Sequence, residues 1–324
     1  MRSDSGAHRA QIEMLMRSVE AGRIPHALLF SGPRGTGKRT AARRVAQAIL
    51  CRKDGAPCMD CPQCKQFLSG NHPDVHTVTA PGRSIGVDQI RELRETLALK
   101  PFSGARHIVI IEQADKMTTA AQNAILKTLE EPAGESVFFL ITDSPGALLS
   151  TIVSRARRLR FAPLPIAECA HALTGWGIEP ARAAMLAGYA QGSVGRALEI
   201  NENAGYDALR ARVLASLRAL TGVSSVARAA SMLSDAKDSA EDALEIMEVA
   251  SRDRMAAQSG AQPYTAIDAL PIDGRRLLQG VMELRRMLAS NVSWQSALER
   301  TYLAIAHRDA RTGDSMEETI WQPS

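Results

Sequence analysis

Ser-Gly-Pro-Arg-Gly-Thr-Gly-Lys-Arg-Thr, residues 31–40, has the residue types that grip a phosphate chain, with one departure. In the pattern G-x-x-x-x-G-K-[S/T], glycines let backbone N–H groups turn onto phosphate oxygens, the lysine reaches the outer phosphates, and the hydroxyl holds Mg²⁺. Gly32, Gly35, Gly37 and Lys38 fit that chemistry, whereas Arg39 stands where the hydroxyl belongs. A guanidinium cannot ligate a cation, so ATP with Mg²⁺ is expected to bind weakly unless Thr40, one position further on, supplies the oxygen. Nucleotide binding without turnover stays open. Arg39, Arg43 and Arg44 lie on one predicted helix and read either as a solvated basic face or as contacts to nucleic-acid phosphates.

ATPases built on such a loop need a second site at the end of a buried strand, where an Asp binds Mg²⁺ and an adjoining Glu orients the attacking water. The run His-Ile-Val-Ile-Ile-Glu-Gln-Ala-Asp (107–115) offers Glu112 and Gln113 at those places. A neutral amide cannot act as a general base, so two catalytic positions are altered together. Asp115 is a third acid and reads as a cap for a helix beginning near Thr118.

Four of the five cysteines, Cys51, Cys58, Cys61 and Cys64, follow the spacing C-x6-C-x2-C-x2-C. Two tight turns can then present four soft thiolates to one ion, a set suited to structural zinc with no open position for chemistry. His72 and His76 are near enough in sequence to replace one sulfur, and free thiols are the alternative reading. Cys169, alone in an Ala-rich stretch, reads as a small buried residue.

These groups need elements to hold them. Residues 27–31 form a short apolar run before the glycine turn, and residues 38–51 have helical composition, with Val45, Ile49 and Leu50 facing a core. A strand restarts near residue 74, so the cysteines sit on an insertion. Residues 86–99 read as an amphipathic helix on Ile90, Leu93 and Leu97. Residues 107–112 and 136–142 read as strands covered on both faces, with a helix from about 118 to 130 ending at Pro132. Strands alternating with helices predict a parallel α/β sheet. After residue 163 no comparable β-rich run occurs and the remainder reads as helical. There Leu277, Val281, Leu284 and Leu288 form one apolar stripe.

A chain of 324 residues with 45% hydrophobic content can bury more than one core, which predicts several domains. No apolar run approaches the roughly 18 residues that cross a bilayer, so the expectation is no membrane contact and the cytoplasm as compartment. A net charge of +4 is too small to imply nucleic-acid binding by itself, and 4% aromatic content argues against a surface that stacks single-stranded bases.

The stretch QADKMTTAAQNAILKTLEEP (113–132), taken with GRIPHALLFSGPRGTGKRT (22–40), the cysteine quartet and TIVSRARRLRF (151–161), closely resembles the AAA+ clamp-loader subunits of the bacterial DNA polymerase III holoenzyme. The motifs cover residues 8–205, and the helical pattern runs on to the end. The resemblance implies a RecA-like parallel sheet domain with a zinc insertion over 1–162, a three-helix lid over 163–204 and a helical collar over 205–324. In that family the motor subunits keep the Mg²⁺ hydroxyl and an Asp-Glu pair. The delta-prime type is short and often catalytically degenerate, and the present chain resembles that type, so its own ATPase activity is expected to be absent or weak.

Ser154, Arg155 and Ala156 align with the family's Ser-Arg-Cys, whose arginine reaches across a subunit boundary to a neighbour's ATP. A guanidinium placed on a γ-phosphate stabilises charge that develops in the transition state, worth orders of magnitude in rate. Ala156 departs from the family's cysteine and leaves the local packing open. Thr142 resembles the family's γ-phosphate sensor, and Arg196 matches its lid arginine. The partners implied are gamma/tau motor subunits, a delta subunit and, through the complex, the sliding clamp and primer-template DNA. Two readings compete: a working gamma/tau-like ATPase in which Thr40 and Asp115 stand in for the missing ligands, and a zinc-dependent DNA-binding module. The cysteine cluster lacks the interleaved basic and aromatic residues that would favour the second.

Overall fold

The computed structural model describes residues 8–53, 55–103, 106–130, 135–261, 263, 265 and 270–309. Those up to Leu164, together with Ser193–Arg196, form one compact unit; those of Pro165–Gly192 and from Ala197 onward form a second.

In the first unit α1 (Arg9–Glu20) leads into β1 (Ala27–Ser31) and α2 (Lys38–Leu50). Then come α3 (Pro62–Ser69), β2 (Val75–Val78), α4 (Val87–Leu97), β3 (His107–Ile111), α5 (Thr119–Glu130), β4 (Ser136–Thr142), α6 (Ser150–Arg155) and β5 (Arg157–Arg160). The five strands pair in the order β2-β3-β4-β1-β5. All four pairings are parallel, with Leu29 of β1 opposite Leu140 of β4 and Val109 of β3 opposite Phe138.

The continuous apolar runs follow from burial on both faces. Ile108 and Ile110 of β3 point, with Leu28, Phe30 and Phe139, toward Ile12 and Leu15 of α1, Val45 of α2 and Phe67 of α3. Their neighbours Val109 and Ile111 point, with Leu29, Phe138 and Leu140, toward Ile90, Leu93 and Leu97 of α4 and Ile125 and Leu129 of α5. Alternate side chains thus serve opposite cores, which is why β1, β3 and β4 lack the polar alternation of a half-solvated sheet. The basic edge strand β5 buries only Leu159. The end of α5 expected at Pro132 lies outside the described residues.

The remaining described chain is helical: α7 (Ile166–Thr174), α8 (Pro180–Tyr189), α9 (Val194–Glu202), α10 (Tyr206–Ala219), α11 (Val226–Ser231), α12 (Ala240–Gln258), α13 (Gly274–Ala289) and α14 (Trp294–Asp309). The stripe on α13 is shifted from expectation. Leu277, Val281 and Leu284 are buried, but Met287 rather than Leu288 completes the buried face. No described helix is long and apolar enough to cross a membrane.

Candidate functional site

The loop between β1 and α2 takes the shape its glycines permit. Gly32, Gly35 and Gly37 have φ of 151°, 76° and 87°, a region side chains rarely enter. Gly35 has a second reason. Gly195, at the start of α9, donates its N–H to Gly35 O at 2.9 Å, and a Cβ on Gly35 would lie 2.3 Å from the Arg196 backbone nitrogen. Ser193 Oγ donates to Arg34 O at 2.7 Å, so the loop is fastened to the helix start. Arg196 in that same segment is buried, not solvated as an isolated helix arginine usually is.

Lys38 is buried in the loop it belongs to. Its ammonium donates to Gly32 O at 2.7 Å and Pro33 O at 2.6 Å, and lies 2.7 Å from Asp143 Oδ1. Arg39 Nε lies 2.8 Å from Glu112 Oε1. That oxygen is buried and accepts no straight hydrogen bond, so the contact is chiefly electrostatic. Thr40 is exposed. Thr142, at the end of β4, donates from Oγ1 to Asp115 Oδ1 at 2.7 Å and accepts from the Ser144 N–H at 3.0 Å.

Asp115 is therefore engaged with Thr142 and the Asp143 N–H rather than capping α5. The cap comes from Thr118, whose Oγ1 accepts from the Ala121 N–H at 3.2 Å. The hydroxyl of Thr118 can fold back on the third N–H of its own helix, whereas Asp115 belongs to the short 3₁₀ turn that precedes it.

The residues present do not fit Mg²⁺. A divalent cation here needs a hydroxyl after the lysine and a carboxylate free to hold the ion's water shell. The first position is Arg39, and its positive charge already sits on Glu112. Gln113 brings no charge and is held at φ 55° on the surface.

Arg155 closes α6. Its Nη2 lies 2.6 Å from Glu130 Oε1 and its Nη1 donates to Thr151 O at 3.1 Å, leaving the side chain 36% exposed. Ala156, at the position of the family's cysteine, packs into the α4–α5 core. Arg43 is not a free basic group, since its guanidinium lies 5.1 Å from the centroid of Phe67.

The four cysteine sulfurs lie within 4.8 Å of one another. The Cys51–Cys61 and Cys58–Cys64 separations are 4.0 Å, near the edge of about 3.8 Å that Zn–S bonds of about 2.3 Å give a tetrahedron and far from a disulfide. Cys58 Sγ accepts from the Cys61 N–H and Cys61 Sγ from the Cys64 N–H, both at 3.4 Å. The backbone N–H groups of Asp60 and Cys61 bring the Cys58 thiol down to about 6, while burial and the Cys61 sulfur push Cys64 up to about 12. An ion taking all four as thiolates would remove that spread, so the donor set fits a soft cation. His72 does not join them: its ring contacts Gln63 Oε1 at 2.5 Å and accepts from the Asp74 N–H. His76 lies against His107 at 3.1 Å. Cys169 is fully buried and its thiol is pushed up to about 11.

Asp143, Ser193 and Glu130 are absent from the sequence reading. Asp143 follows directly on the expected end of β4, and the carboxyl ends of parallel strands are where ligand-contacting groups collect, so its position was the available signal. Nothing local marks Ser193 or Glu130 as a partner.

The sheet order, the glycine loop and the helical second unit define an AAA+-type α/β protein with a phosphate loop whose cation half is altered. The family described as DNA polymerase III, delta subunit, matches residues 7–165 of this chain. The chain is similar to DNA polymerase III subunit delta' of Bacillus subtilis, 39% identical over 204 residues, covering 63% of this chain and 62% of that protein. It is also 39% identical over 141 residues to subunit tau of the same organism, covering 43% of this chain and 25% of tau. Among solved structures, a DNA polymerase III gamma subunit-related protein of Thermotoga maritima has a TM-score of 0.51 at 17% identity, covering 92% of this chain and 99% of that one. That likeness is one of fold. The chain matches less than two thirds of the length of the curated relatives named here.

Proposed function

We propose that this chain is a noncatalytic, delta-prime-type subunit of a replicative clamp loader. In this reading it lends Arg155 to the ATP site of an adjacent gamma/tau motor subunit and, with a delta subunit in the same complex, helps place a sliding clamp on primer-template DNA. One observation carries the proposal: Arg39 is seated on Glu112 while Arg155 remains at the surface. The first removes the cation that hydrolysis requires; the second leaves a guanidinium where a neighbour can meet it. A partly exposed pair with Glu130 costs little to exchange for a γ-phosphate, whose charge is larger.

The three-part division at residues 162 and 204 belongs to this reading, with the last part a collar that joins like bundles. So do the cytoplasm as compartment and Cys51, Cys58, Cys61 and Cys64 as a structural zinc site that completes the fold without entering the chemistry. Thr142 and Arg196 are read as relics of nucleotide sensing. The motor reading has less support, because Asp115 is taken by Thr142 and Thr40 points to solvent.

The test is reconstitution. The chain alone is expected to give no ATP turnover, to co-elute with motor and delta subunits, and to raise their DNA-stimulated turnover. A chain that stays solitary beside motor subunits, or hydrolyses ATP by itself, contradicts the reading.

A further inference from the structure

The backbone of α6 is held in place, so Arg155 has freedom only in its side chain. The buried amide of Gln122, on α5, accepts the Leu149 N–H at 2.7 Å just before α6 begins and donates to Ala147 O at 3.1 Å. Ile152 and Ala156 anchor α6 in the core behind it. The guanidinium itself is tied within its own chain at two points, to Glu130 Oε1 at 2.6 Å and to Thr151 O at 3.1 Å. Glu130 is the last described residue of α5, and among the described residues Arg155 is its one polar side-chain partner. A carboxylate so placed competes with any other anion brought to the end of α6. It offers one charge and two oxygens against the larger charge and three oxygens of a terminal phosphate.

We propose that Glu130 is a latch on Arg155: it holds the guanidinium inside this chain until the γ-phosphate of a neighbour's nucleotide displaces it, and recaptures it once that phosphate has left. The latch rests on the reading of Arg155 as a group lent to a neighbour. Glu130 touches no nucleotide; it is a positioning residue that sets how often a free guanidinium is presented at the surface. Partly exposed ion pairs shift such an equilibrium by up to about fivefold. A bias of that size lowers idle turnover while DNA and clamp are absent. It ceases to matter once the assembled complex favours the engaged state by much more.

The experiment is steady-state ATP turnover by the reconstituted loader, with and without primed DNA and clamp, for the unaltered chain, Glu130→Gln, Arg155→Ala and the double variant. Both side chains are partly exposed, so neither substitution opens a core. Glu130→Gln should raise DNA-independent turnover at this boundary by up to about fivefold while the stimulated rate stays where it was, so that the degree of stimulation falls. The double variant should behave as Arg155→Ala does, because Glu130 acts only through the guanidinium. DNA-independent turnover that is unchanged or lower in Glu130→Gln, beside a clear loss in Arg155→Ala, overturns the latch and leaves the reading of Arg155 standing. So does a double variant that turns over faster than Arg155→Ala. An Arg155→Ala loader as active as the unaltered one overturns both.

Discussion

With Cys51, Cys58, Cys61 and Cys64 as the proposed zinc site, removing the ion should loosen residues 51–69 without unfolding the sheet. Helix α3 has eight residues, too few to persist alone in water, and it carries both Cys64 and Phe67. Phe67 is 3% exposed and packs with Ile12, Val45 and Ile108, under the Arg43 guanidinium. If the ion no longer holds α3, Phe67 is the contact at risk, about 2–3 kcal/mol of apolar burial with up to about 1 kcal/mol from the cation–π contact. Freed backbone entropy offsets part of this. At about 2–4 °C per kcal/mol for a unit of this size, a loss of about 2–3 kcal/mol lowers Tm by roughly 4–12 °C. The assay is calorimetry of the protein purified with zinc, before and after chelation, with elemental analysis and a count of thiols that react quickly. Chelation should release one zinc per chain and expose four reactive thiols, while Cys169 stays silent until denaturant is added. A protein that carries no metal and shows four reactive thiols as purified would rule out a resident ion at these cysteines. A chelated chain that has lost its sheet would contradict a loosening confined to residues 51–69.

Tyr302→Phe removes a buried hydroxyl that donates to Ser216 Oγ at 2.8 Å in the second unit, where Ser216 in turn donates to Ala229 O. It should cost about 1 kcal/mol, read as a lower denaturant midpoint with unchanged slope; no change would mean the pair is not formed. Stability should also fall as pH drops below about 6.5. Burial lowers the pKa of His72 and His76, so the unfolded chain takes up protons at their ordinary value, 6.5, before the folded chain does. Denaturation at pH 7.5 and 5.5 measures this, and His76→Gln should flatten the difference; a chain more stable at pH 5.5 would contradict it.

Much of the first unit was legible because its elements announce themselves locally. Strands β3 and β4 are unbroken runs of β-branched and aromatic residues, and the glycine loop has a spacing that only one turn satisfies. The cysteine cluster was legible for the same reason, since four ligands within fourteen positions need no distant partner. What was not legible depends on pairing across the sheet. Arg39 and Glu112 are far apart in sequence, and although each was read at its own position in a nucleotide site, nothing in the sequence pairs one with the other. Asp115 looked like a helix cap because sequence shows proximity to α5 but not the nearer hydroxyl of Thr142. Leu288 was placed in the buried stripe because spacing at helical period does not say how wide the buried face is; Met287, one residue away, holds that place.

In the proposed complex Arg155 acts on a neighbour's nucleotide while this chain's own site stays silent. The most direct test is DNA- and clamp-stimulated ATP turnover by the reconstituted loader with Arg155→Ala, at equal assembly. A guanidinium acting on the transferred phosphate is worth about 10³-fold or more in rate, so the site at this boundary should fall silent and total turnover should drop sharply, with nucleotide binding by the motor subunits nearly unchanged. Unchanged turnover would contradict the account and leave this chain as a brace for the ring.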